Sequence, residues 1–175
     1  MESRDVLIDA YTRIQELAHT AADGLAVEGL TYRPETDANS IAWLVWHLAR
    51  TQDSQVAPIA GTAQAWATGD WAGRLGLGPA LSNTGYGYTS EQVAAVQPAS
   101  ADALLGYLDF VSDRSREYLR SVDAAELDRI IDTSYNPPVS VGVRLVSVIS
   151  DNIQHAGQAR YVRGIYDRVA GAGQG

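Results

Sequence analysis

Apolar positions recur at helical spacing through most of the chain. Val6, Ile8, Tyr11, Ile14, Leu17 and Ala18 predict a first helix from about Ser3 to Val27, with Ser3 as N-cap and Asp5 in its first turn. Gly29 and Pro34 break that pattern, and the run from Gly29 to Ala38 reads as a connecting loop. Asn39 or Ser40 then caps a second helix, which continues through Ile41, Leu44, Val45, Leu48 and Gln52 to about Pro58. A short helix starts at Ser90 and stops before Pro98, and Ser100 caps a longer one through Leu104, Leu105, Leu108, Val111, Tyr118 and Leu119. A brief helical or irregular stretch from Ala124 to Ile131 leads into Tyr135-Asn136-Pro137-Pro138, where regular structure must stop. Val139, Val141, Val143, Val146 and Val148 suggest a strand, but apolar positions continue at Ile153, Ala156, Ala159, Val162 and Ile165. They favour a last helix from near Ser140 to about Val169. Four long helices with few strands predict an all-α four-helix bundle.

The least regular stretch, from about Gly61 to Thr89, lies between the second and third main helices. It sets Trp66, Trp71, Tyr86 and Tyr88 among six glycines from Gly69 to Gly87. A loop of this length inside a compact domain is either a functional lid or pocket wall, or an aromatic-pinned cover over the core. The pattern alone leaves both readings open.

Composition narrows the class. The 175 residues suit a single domain, taken as 1–170, with a flexible Gly-rich tail at 171–175. A chain of this length buries roughly 70% of the surface its unfolded form exposes, so it needs no disulfide or metal to fold. Thirteen Lys and Arg against 21 Asp and Glu leave a formal net charge of −8, which disfavours nucleic acid as a partner. There is no cysteine. That excludes a disulfide scaffold, a thiolate zinc site and an internal Cys nucleophile, so thiol chemistry would need a thiol brought by a substrate. The N-terminus lacks the basic and apolar regions of a signal peptide, and the longest apolar stretch, Ile41 to Leu48, is too short to span a bilayer. The expectation is a soluble, cytoplasmic protein with no membrane partner.

Two of the three histidines fall where a helix should face inward. His47 lies between Leu44 and Leu48, and His155 follows Asp151 by four residues. Residues four apart on a helix are neighbours on one face, so Asp151 and His155 can reach one point. They interrupt an apolar stripe that runs through Val148, Ala159 and Val162, and burying them unpaired is expensive. Imidazole and carboxylate are ligands for zinc, manganese, iron and nickel, and three protein ligands with an open position describe a catalytic metal. The alternative is a plain Asp151–His155 hydrogen bond beside a satisfied core histidine. His19 is simply a residue of the first helix.

The stretch Asn-Ser-Ile-Ala-Trp-Leu-Val-Trp-His-Leu-Ala-Arg-Thr-Gln-Asp, Asn39 to Asp53, resembles the second helix of the DinB-like superfamily. Asp-Asn-Ile-Gln-His-Ala-Gly-Gln-Ala-Arg-Tyr-Val-Arg-Gly, Asp151 to Gly164, resembles its last helix, where a ligand histidine precedes x-Gly-Gln. Pro137 to Ile149 resembles an actinobacterial branch related to mycothiol S-transferases and the mycothiol-dependent maleylpyruvate isomerase. The resemblance implies a four-helix bundle, a homodimer, and a metal site between helices in which His47 and His155 match ligand histidines. The third ligand position, commonly histidine, is here Asp151.

On this basis the expected function is metal-dependent transfer of a low-molecular-weight, mycothiol-like thiol to a small electrophile. The rivals are a metal-dependent hydrolase or isomerase, and a non-catalytic metal- or ligand-binding protein. The expected cofactor is a divalent zinc, nickel, manganese or iron ion on His47, Asp151 and His155. No catalytic acid or base is assigned. Gln158 either orients a ligand or makes an ordinary interhelical hydrogen bond. Arg144, Arg160 and Arg163 are candidates for a substrate carboxylate or else solvated ions, and Trp66 and Trp71 are candidate walls for an apolar substrate.

Overall fold

A computed structural model describes residues 2–172. Four long helices form the molecule: α1 (Ser3–Ala22), α3 (Ile41–Ile59), α7 (Ala101–Arg120) and α9 (Val141–Ala172). Between them lie α2 (Val27–Thr31), α4 (Ala65–Thr68), α5 (Trp71–Arg74), α6 (Ser90–Ala94) and α8 (Ala124–Asp128), with an antiparallel pair β1 (Ile130–Asp132) and β2 (Val139–Ser140). The all-α bundle read from the apolar spacing is the observed architecture. Each of α1 and α3 packs against both α7 and α9, so α1 faces α3, and α7 faces α9, across the diagonals. Among the described residues no helix is long and apolar enough to cross a membrane.

Helix starts follow their caps. Ser40 accepts from Trp43 N at 3.1 Å and Ser100 from Ala103 N at 3.1 Å, as their positions predict. At the first helix the cap is Glu2 and not Ser3, because the Asp5 carboxylate reaches back to Glu2 N at 2.9 Å. That helix also ends at Ala22, earlier than its apolar pattern suggests, where Gly24 takes φ +72°. Gly29, read as a loop residue, sits inside α2, where a Cβ would come within 2.8 Å of the Tyr166 ring. Pro58 gives up one helix hydrogen bond, and α3 ends one residue later at Ile59. Ser140 ends β2 and its hydroxyl accepts from Val143 N, so α9 starts where expected. It continues through Gly171 to Ala172, about 48 Å of helix. The tail expected at 171–175 lies outside the described residues from 173 onward.

The core is built from the inward rows of the four helices. Tyr11, Ile14, Ala18 and Ala21 of α1 meet Leu44, Trp46 and Leu48 of α3, Leu104, Tyr107, Leu108 and Val111 of α7, and Leu145, Val148, Ala156 and Ala159 of α9. Helix α3 is the most deeply placed, and it also buries His47, Arg50, Gln52 and Asp53. Those polar groups are where the fold departs from a simple apolar bundle.

Candidate metal centre

His47 of α3 faces Asp151 and His155 of α9. One donor atom from each, imidazole nitrogen or carboxylate oxygen, can be chosen so that all lie within 4.8 Å of one another. Donors placed about 2.1 Å from one shared ion are at most about 4.2 Å apart, so holding one draws these three side chains slightly together. His47 is buried and the other two are half-buried. The rings of His47 and His155 meet edge to face at 4.7 Å, and the Trp43 indole stacks on His47 at 4.6 Å.

Each imidazole is held through Nδ1. His47 Nδ1 lies 2.5 Å from the Thr84 carbonyl oxygen, and His155 Nδ1 lies 3.0 Å from Gln158 Oε1. A carbonyl oxygen only accepts, so Nδ1 is the donor, and the lone pair of each neutral ring falls on Nε2. This is the arrangement by which outer partners fix the tautomer of a ligating histidine. The Thr84 carbonyl can come so close because Gly85 follows it at φ +89°. A Cβ there would stand 2.7 Å from the Trp46 ring and 3.2 Å from His47 Nδ1.

Asp151 supplies the oxygen donor. Its Oδ1 is 3.6 Å from His155 Nε2, too long for a hydrogen bond, and its buried Oδ2 has no hydrogen-bond partner. The charges are mutually supporting: the facing His155 lowers the Asp151 carboxyl, and Asp151 raises His155. Burial pushes His47 below its ordinary value, against the Thr84 carbonyl. Two imidazoles that present Nε2 when neutral and a carboxylate oxygen lacking a partner fit a divalent zinc, manganese, iron or nickel ion.

The remaining candidates separate. Gln158 sits on the same helix as His155 and bonds its ring, so it orients that histidine and bridges no helices. Arg163 pairs with Asp167 at 2.9 Å and donates to the carbonyls of Ala21 and Asp23, tying α9 to α1. Arg160 is exposed and has no ion-pair partner among the described residues. Arg144 lies beside Gln55 and Asp132, at the edge of a cleft that also touches Asp151.

Trp66 is not a substrate wall. It is 2% exposed, packs on Trp46 and Tyr107, and lies under the Arg50 guanidinium at 5.0 Å. The reason is the Asp53 carboxylate, which accepts from Ala65 N at 2.8 Å and Trp66 N at 2.9 Å and draws α4 onto α3. Trp71 packs on Tyr107 and Phe110 of α7, the helix diagonal to α9, and so stands away from the cluster.

A buried network that spacing did not reveal anchors the 61–89 loop. Arg50, fully buried, spends its donors on Asn83 O, Asp53 Oδ2, Tyr107 OH, Gln64 Oε1 and Leu81 O, at 2.8 to 3.1 Å. Two of those acceptors, Leu81 and Asn83, lie within the three residues before Thr84. The loop therefore covers the core with Trp66 and also delivers the carbonyl that holds His47.

A family model described as the DinB superfamily matches residues 10–159. A crystal structure of a conserved protein from Enterococcus faecalis superposes with a TM-score of 0.85 at 28% identity, covering 93% of this chain and 96% of that one. No curated protein matches the chain.

Proposed function

The chain belongs to the DinB superfamily, and from that membership and the geometry above we propose that it is a metal-dependent transferase that adds a low-molecular-weight thiol to a small electrophile. The observation that carries the reading is the His47–Asp151–His155 cluster, a three-donor set beside an open cleft. The chain has no cysteine, so the thiol comes with the substrate. When bound, a divalent metal supplies the thiol in its deprotonated, nucleophilic form near neutral pH.

The protein's part is placement. Thr84 and Gln158 hold the Nδ1 atoms of His47 and His155, so that each ring, when neutral, presents Nε2 as its donor. Asp151 contributes one negative charge, leaving a divalent ion net positive toward an incoming thiolate. Trp43 backs the His47 ring on one side and keeps water from it.

The test is a conjugation assay with zinc, manganese, iron or nickel restored separately, a series of small thiols, and chlorodinitrobenzene as a chromogenic acceptor. The expected result is thiol-dependent product that needs the metal and disappears in His155→Ala. Metal-loaded protein that forms no conjugate with any thiol or acceptor contradicts the transferase reading.

A further inference from the structure

His47, Thr51 and Gln55 follow one another at four-residue steps on α3, and Arg144, Val148, Asp151 and His155 at steps of four, three and four on α9. Residues so spaced share a helix face. The two rows run in opposite directions along each other. The His47 and His155 rings meet at one end, and at the other Arg144 Nη1 donates to Gln55 Oε1. Between the ends lies a cleft of about 560 Å³ whose walls include Thr51, Tyr135, Val148 and Asp151. That volume suits a small ligand. Asp151 stands seven positions after Arg144, roughly 10 Å along the helix axis.

Arg144 is held in place without being saturated. Gln55 is neutral and takes one donor. Asp132 Oδ2 forms an ion pair with Arg144 Nη2 at 3.7 Å, beyond hydrogen-bond reach, while Asp132 Oδ1 turns to Ser134 N and Oγ at 2.9 and 2.6 Å. About a quarter of the Arg144 side chain is exposed, and a guanidinium has five donors in a fork that matches a carboxylate. Of the four arginines on α9, Arg163 is spent on α1 and Asp167, and Arg160 and Arg168 do not line the cleft.

We propose that Arg144, positioned by Gln55, determines specificity by binding a terminal carboxylate of a ligand whose other end reaches the His47–Asp151–His155 centre. The ligand class is an elongated small molecule with a metal-binding head, a partly apolar middle against Val148 and Tyr135, and a carboxylate tail. This rests on the metal-centre reading above. The carboxylate belongs to the thiol or to its acceptor, and the recognition chemistry is the same.

The test uses the full chain loaded with zinc and two pairs of probes. The first pair is an alkyl hydroxamate of six or so carbons ending in a carboxylate or in a carboxamide; the second is mercaptohexanoate against mercaptohexanamide. Affinities come from calorimetry on wild type, Arg144→Met and Arg144→Lys, with metal content and circular dichroism checked for each. The expected result is a carboxylate preference of roughly tenfold or more in wild type, near unity in Arg144→Met and partly kept in Arg144→Lys. Equal affinity for the two hydroxamates in wild type, or a preference that survives Arg144→Met, overturns the proposal. Because hydroxamates bind metals without any thiol chemistry, failure of both thiols to bind contradicts the transferase reading and leaves the hydroxamate ratio to decide this one. If the thiols show the same preference, the carboxylate is the thiol's; thiols that bind without one assign it to the acceptor. A chain that takes up no metal overturns both.

Discussion

Asp151 carries a buried oxygen that no hydrogen bond satisfies, facing two histidines whose Nδ1 atoms are held by other groups. A purely structural carboxylate in that setting costs stability, whereas a cation offsets the cost. The two roles predict different mutants. Asp151→Ala should leave the melting temperature of metal-free protein unchanged or slightly raised, and should remove most of the further rise that added metal produces in wild type. A metal-free protein destabilised by 2 kcal/mol or more, with the metal-induced rise intact, would assign Asp151 to the fold. Gln158→Ala should lower metal affinity by roughly ten- to a hundredfold through a loosened His155, with no loss of folding. His19→Ala should leave affinity alone, since His19 pairs with Asp109 on the α1–α7 side at 2.6 Å.

At the scale of elements, the 61–89 loop depends on the Arg50–Asp53 pair. Removing one member of a buried pair leaves the other charge uncompensated, so Asp53→Ala should cost about 3–5 kcal/mol in denaturant unfolding. Gly85→Ala should act differently. A side chain at φ +89° against Trp46 is strained, and relief moves the Thr84 carbonyl, so metal affinity should fall more than the fold suffers. Helix α8 gives a pH test. Arg129 and the Tyr118 hydroxyl lower the Glu126 carboxyl from the ordinary 4.5 to about 2. A depressed carboxylate stabilises the fold fully above 4.5, and that contribution is lost as pH falls toward 2. Glu126→Gln should therefore flatten the acid limb of the stability profile in that window; an unchanged limb would show that the pair contributes nothing. The long helices were legible because their apolar rows repeat over five or more turns and because Ser40 and Ser100 announce two starts. Helix α2 is one turn and a half, too short for a period to show. The burial of Trp66 depends on Asp53, thirteen residues earlier, and no local pattern contains that.

Across the whole molecule, the bundle brings α3 and α9 together so that two rows far apart in the chain make one cleft. The site was half readable. His47, Asp151 and His155 stood out because polar groups interrupt apolar stripes, and the structure brings these three together. The grip on His47 was invisible because it comes from a backbone carbonyl, which any residue type provides. Arg50 was equally hidden, since an arginine on a helix reads as a surface charge until its acceptors are seen. Everything functional rests on one claim, that this cluster holds a metal ion. The direct measurement is metal content by mass spectrometry on untagged protein, for wild type and His155→Ala. The account predicts close to one divalent ion per chain in wild type and its loss in a folded variant. Wild-type protein that holds no metal after separate addition of zinc, manganese, iron and nickel would contradict it.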